Sequence, residues 1–174
     1  MVYRTKTYIA GDWDHDKNAV NALYWWKNNQ NRYFDFPDAH ELVSARDDSL
    51  TCSIKRSLKE RLDRSKNFVL IVGKHTNSLT RGSCSNCASY NSYTRACARG
   101  YCVSYEIFID YECRQAIEAN MNIVVLYNSS SVDKSKCPTM LRNRGLHLPM
   151  HKFDYNASEY VWNYSDIKSA FNSF

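Results

Sequence analysis

The segment from Tyr105 to Glu118 carries Glu106, Asp110, Glu112 and Glu118, and helical geometry sorts these acids by face. At roughly 3.6 residues per turn, Phe108, Ile109, Glu112, Cys113, Ala116 and Ala119 share one side. Asp110, Arg114 and Glu118 follow at i, i+4 and i+8 on the other, the arrangement of a solvated charge stripe with paired support. Glu112 alone interrupts the apolar face. Ile107 and Tyr111 fall on the polar side, so either the helix starts after them or that side is partly covered. A carboxylate on a buried face must find donors, keep its proton, or open into a solvent pocket, because an isolated buried charge is costly. Two readings of Glu112 follow: a residue bonded to backbone donors of a neighbouring loop, or a catalytic acid facing a crevice.

A second group with chemical potential is the run Cys84-Ser85-Asn86-Cys87, followed by Cys97 and Cys102 among Arg81, Tyr90, Tyr93, Arg95 and Arg99. A Cys-x-x-Cys pair with two further cysteines could close a tetrahedral zinc site, with His75 an alternative to Cys102 as fourth ligand. Such a knot would order a loop that has little apolar content. The step from Cys97 to Cys102 is wider than the usual second knuckle, and packed or redox-sensitive thiols are the other reading. The chain holds seven cysteines, an odd number, and in a reducing compartment thiols or metal ligands are expected before disulfides.

The elements that must position these groups alternate. Thr7-Tyr8-Ile9-Ala10 reads as a strand, and Gly11 to Asp16 as a loop rich in turn formers and helix-capping acids. Ala19, Val20, Leu23 and Trp26 step at helical spacing, which predicts a helix from Asp16 to about Gln30. Tyr33 to Phe36 reads as a short strand closed by Pro37-Asp38. A polar stretch holding Asp47, Asp48, Ser49 and Thr51 precedes Ile54, Leu58 and Leu62, which predict an amphipathic helix. Phe68 to Val72 is an uninterrupted apolar run, as expected of a strand covered on both faces, and Gly73 closes it. A helix running through Cys113 to Ala119 leads into a second such strand, Ile123 to Tyr127. Leu146 to Phe153 suggests a final edge strand despite Pro149, and Tyr160 to Phe174 a terminal helix.

Repeated strand–helix alternation argues for an α/β fold with a mainly parallel sheet in a flavodoxin-like, three-layer arrangement. Ligands of such sheets bind at the carboxyl ends of the strands, so Gly11 to Asp16, Phe36 to Asp38 and Gly73 to Thr76 should surround one crevice. With 174 residues, 44% of them hydrophobic, the expectation is a single domain, 1–174, carrying a cysteine-rich insertion at about 77–103 and an aromatic extension at about 154–174. No apolar run approaches the roughly 20 residues that cross a bilayer, and no signal-peptide pattern opens the chain, so a cytoplasmic protein without a membrane partner is expected. The formal charge of +5 is spread along the chain without a dense basic run, which argues against nucleic acid as a partner.

Three segments taken together carry a family resemblance: Thr7 to Asp14, Phe68 to Thr76 and Tyr111 to Val125. In order along the chain they resemble the Toll/interleukin-receptor-like (TIR-like) family that includes the signalling subunit of Thoeris antiphage systems. The resemblance implies a flavodoxin-like fold and a glutamate, matching Glu112, that assists cleavage of the nicotinamide–ribose bond of NAD. It implies an NAD site lined by Ala10, Gly11, Asp12, Trp13, Phe36 and Asp38. The product would be a cyclic or conjugated ADP-ribose messenger that activates an effector protein, under control of self-association. The chain departs from many relatives in having Ala10-Gly11 where a serine-containing segment commonly follows the strand. Two other functions stay open: a TIR-like scaffold that binds a nucleotide or protein without turnover, and an enzyme like the nucleoside deoxyribosyltransferases, which also place a glutamate at the crevice.

Overall fold

The computed structural model describes residues 4–32, 34–39 and 50–173. In chain order its elements are β1 (Lys6–Ala10), α1 (Lys17–Asn28), α2 (Thr51–Asp63), β2 (Ser65–Val72), β3 (Tyr90–Asn91), β4 (Ala96–Cys97), α3 (Phe108–Glu118), β5 (Asn122–Tyr127), β6 (Leu146–Pro149), β7 (His151–Asp154), β8 (Glu159–Trp162) and α4 (Tyr164–Asn172). Four strands form a parallel sheet in the order β1-β2-β5-β6. Period-two alternation divides its side chains between two cores. Ile9, Val69, Ile71, Val124 and Leu126 meet Val20, Leu23 and Trp26 of α1 and Ile167 and Phe171 of α4. Tyr8, Ala10, Phe68, Leu70, Val125 and Tyr127 meet Leu62 of α2 and Ile109, Cys113 and Ala116 of α3. The expected three-layer, flavodoxin-like α/β fold is present, and burial on both faces explains why β2 reads as a continuous apolar run.

Three local expectations change. The strand expected at Tyr33 to Phe36 does not form at 34–36, and Tyr33 lies outside the described residues. The chain at 34–39 instead runs beside β1 and makes one bridge, Thr7 to Asp38, with Thr7 N–H donating to Pro37 O and Ala39 N–H to Thr7 O. Pro37 has no N–H to extend the ladder. The stretch Asp47 to Ser49 also lies outside the described residues.

The edge strand expected over Leu146 to Phe153 is two strands. β6 ends at Pro149, and buried Met150 turns the chain so that β7 pairs antiparallel with β8. The terminal helix accordingly starts at Tyr164 rather than Tyr160, because Tyr160, Val161 and Trp162 are strand formers given a partner in β7. Trp162 lies over the His151 ring at 4.2 Å.

The turn into β6 depends on Gly145, at φ +77°, where a Cβ would stand 2.3 Å from the Ile123 carbonyl oxygen of the neighbouring strand. Gly145→Ala combines left-handed strain with a backbone clash and should cost about 2 kcal/mol or more. Equilibrium urea denaturation measures this as a lowered midpoint with an unchanged slope.

Candidate functional site

Helix α3 turns Ile109, Glu112, Cys113 and Ala116 toward the sheet, and Glu112 is 8% exposed. Tyr8 of β1, fully buried, donates its hydroxyl to Glu112 Oε1 and so ties the first strand to a helix 104 residues away. Burial raises the Glu112 carboxyl, the Tyr8 hydroxyl and the charge of Arg61 offset part of that rise, and the group ends pushed up to about 7. Burial, then the neighbouring Glu112, raise the Tyr8 hydroxyl well above its ordinary value, so Tyr8 remains a donor. Arg61 of α2 is also buried, and its Nε and Nη2 have no hydrogen-bond partner among the described residues. It acts on Glu112 as a charge rather than through a paired contact.

On the opposite side of α3, Arg114 pairs with Glu118 at 2.7 Å and with Glu106 at 3.0 Å. Asp110 stays out of these pairs. It lines a cavity of about 230 Å3 with Thr76, Asn77, Ile107, Thr139 and Met140, and burial, then Glu106, raise its carboxyl. The helix begins at Phe108 and Ile107 is half-buried. The ring of Tyr111 lies under Lys55 and Arg114, so the polar side is partly covered. Periodicity places Asp110 on a solvated stripe; its cover comes from turns that are remote in sequence.

The loops after β1, β2 and β5 meet at the carboxyl edge of the sheet. Asp12 Oδ2 lies 2.6 Å from His15 Nδ1, and Asp12 Oδ1 accepts the N–H groups of Asp14 and His15. Burial raises the Asp12 carboxyl, but these hydrogen bonds outweigh it and hold the group below its ordinary value. The His15 ring packs on His75 at 4.7 Å. Asp16 begins α1 by accepting Ala19 and Val20 N–H at its backbone oxygen, yet its carboxylate turns away from the helix to accept Asn128 Nδ2 at 2.8 Å. A Cβ at Gly73 would stand 2.0 Å from that carboxylate, so only glycine leaves room for it. Thr76 Oγ1 accepts the Gly73 N–H at 2.9 Å.

Of the residues expected to line a nucleotide site, Trp13 is 44% exposed and lies 6.2 Å from the Tyr24 ring. Tyr24 donates its hydroxyl to buried Asp38 at 2.7 Å, so a residue of α1 that sequence reasoning passes over gathers Trp13 and Asp38. Ala10 and Phe36 are core residues: Phe36 packs among Tyr24, Phe34 and Phe171 on the α1–α4 face, with the sheet between it and Glu112. At Gly11 a Cβ would approach Ile71 Cβ to 3.1 Å, so its small size serves packing of the loop against β2.

All seven cysteines are free. Cys84, Cys87, Cys97 and Cys102 line one cavity of about 10 Å3, together with Tyr90 and with Cys52 of α2, which sequence spacing does not bring to them. His75 is directed to His15 instead. Among the described residues no three His, Cys, Asp or Glu side chains stand close enough together to hold a metal ion, so the four cysteines share a cavity wall without forming a coordination sphere.

The site is carried by a parallel α/β sheet of flavodoxin type, with a buried glutamate on the helix before β5. Residues 8–81 match the family model described as Thoeris protein ThsB, TIR-like domain, and over that span the chain is similar to this family. The match takes in Tyr8, Asp12, Trp13, Asp16, Asp38 and Gly73, and stops ahead of the cysteine cluster and of Glu112. No curated protein matches the chain.

The Glu112 carboxyl carries a pH signature. In the folded chain it keeps its proton up to about 7, against an ordinary value of 4.5, so its stabilising contribution is complete below about 4.5 and is lost as pH rises through 7. The wild type should lose on the order of 3 kcal/mol more than Glu112→Gln across that window. Denaturation curves of both proteins at about pH 4.5 and about pH 8 measure the difference, and parallel pH dependences would contradict it.

Proposed function

We propose that this TIR-like chain consumes NAD, cleaving the nicotinamide–ribose bond to make an ADP-ribose-derived, cyclic or conjugated, messenger that activates an effector protein in antiviral defence. The observation that carries this reading is Glu112, a carboxyl buried on α3 whose hydroxyl partner Tyr8 comes from the first strand. In NAD the leaving pyridine is already cationic, so the reaction needs placement of a carboxylate beside the ribose more than it needs proton transfer. A carboxyl that ionises near neutrality suits this, because an arriving pyridinium favours its charged form. Tyr8 would fix the orientation of the carboxylate while the oxocarbenium-like centre forms.

The cavity at the first turn of α3 is about 230 Å3, below the ~300–1,000 Å3 of sites that enclose whole drug-sized ligands; Asp110 and not Glu112 stands in its wall, so on this reading one end of the dinucleotide would sit beside the turn that precedes the catalytic carboxyl. The exposed Trp13 ring offers a stacking surface, with Gly11 and Asp12 beside it in the chain. The match to the Thoeris TIR-like family supports both the reaction class and the defence setting. Among the described residues no helix is long and apolar enough to cross a membrane. The burial of Glu112 favours one other reading, a nucleotide-binding scaffold without turnover.

Nicotinamide release in phage-challenged cells expressing the protein separates the two. Glu112→Gln should lower release by about 100-fold or more and Tyr8→Phe by roughly 10-fold, with Glu106→Gln and Glu118→Gln within about 2-fold of wild type. Wild-type release from Glu112→Gln would remove the catalytic assignment, and NAD left intact by the wild-type protein in challenged cells would remove the NAD-consuming reading.

A further inference from the structure

The cysteine cluster lies outside the nucleotide chemistry and has a physical logic of its own. Two turns build it. Cys87 N–H donates to Cys84 O and Gly100 N–H to Cys97 O, each an i to i+3 closure, and the Tyr90–Asn91 and Ala96–Cys97 strands pair between them. Cys84 is buried and its Sγ accepts the backbone N–H of Ser104 at 3.3 Å, the kind of donor that supports a negatively charged sulfur. The cavity bounded by these thiols, about 10 Å3, admits a single water-sized body.

Two cations of α2 lie on one side of it. Lys55, one turn from Cys52, donates to Ser104 Oγ at 2.9 Å and to Glu106 O at 2.5 Å, and Arg56 stacks on Tyr101 next to Cys102. A 28-residue span from Thr76 to Val103 with two two-residue strands has little apolar surface to hold it in place, as its exposed residues at 91–96 and 98–102 record. Something other than a hydrophobic core must order it.

We propose that this segment is a zinc knot in which Cys84, Cys87, Cys97 and Cys102 bind one Zn2+ as thiolates. Tetrahedral zinc takes four sulfurs, releasing a proton from each thiol that it binds. The first turn supplies Cys84 and Cys87, the second supplies Cys97, and the stretch after it that carries exposed Cys102 closes over the ion. Cys52, fixed on the α2 backbone, forms the wall of the site and stays uncoordinated. The knot meets α3 directly, because the Cys84 backbone N–H bonds Ser104 O and Arg81 O accepts the Phe108 N–H at the start of the helix. Metal binding therefore sets the start of the helix that bears Glu112.

The test is metal analysis of the full chain purified without chelator, with cobalt substitution as a second readout. The expected result is about one zinc per chain that survives dialysis, and a thiolate-to-cobalt charge-transfer band on exchange. Cys87→Ser and Cys102→Ser should lose the metal, and Cys52→Ser and Cys113→Ala should keep it. Less than about a tenth of an equivalent of zinc, both as purified and after zinc addition, together with no cobalt band, would overturn the site. Retention by Cys102→Ser with loss in Cys52→Ser would overturn the ligand set. Should a serine variant fail to fold, zinc released from the wild type on thiol modification, read against the number of thiols modified, gives the same decision.

Discussion

A carboxyl group held out of water between a sheet and a helix must be matched by a donor or kept protonated, and much of this fold can be traced to how that demand is met at Glu112. Tyr8 meets it from the first strand, while the surrounding apolar layer, with Cys113 and Ile109 on the same helix, keeps water away. The outcome is a group whose proton affinity lies near neutrality, with one hydrogen bond of fixed direction. A residue needed only for packing would be cheaper as Leu or Gln. The expense of a buried carboxyl is the physical reason to look for chemistry there.

The carboxyl edge of the sheet is organised by a second buried acid. Asp16 sits at the head of α1, where a carboxylate would ordinarily cap the helix, yet it spans to Asn128 and occupies the room that Gly73 leaves. Three strand-end loops are thereby locked to one another. His15, His75 and Asp12 add a polar layer above them. Ligand-binding loops on a sheet of this kind need such bracing, because their own backbone makes few ladder hydrogen bonds.

Where expectation and structure diverge, proline and partner availability account for it. Pro37 reduces a fifth strand to a single bridge beside β1, and Pro149 ends β6 so that the following residues make a hairpin of their own. Tyr160, Val161 and Trp162 have apolar spacing that suits either a helix or a strand, and β7 decides for the strand. Phe36 resembles a stacking residue in sequence, being aromatic beside a loop, and is committed to the core by Phe34 and Phe171.

The succession β1, α1, α2, β2, α3 and β5, the two-faced burial of β2 and β5 and the isolation of Glu112 on the apolar side of α3 were legible in the chain, because each follows from residues close together under a fixed geometric period. The partners of those residues were not. Tyr8 for Glu112, Tyr24 for Asp38, Asn128 for Asp16 and Cys52 beside the four clustered cysteines come from elements distant in sequence. Only packing brings them together. Periodicity says which way a side chain points, whereas its charge state, exposure and reach depend on what the rest of the fold places opposite it, and so Asp110 passes from a surface stripe to the wall of a cavity.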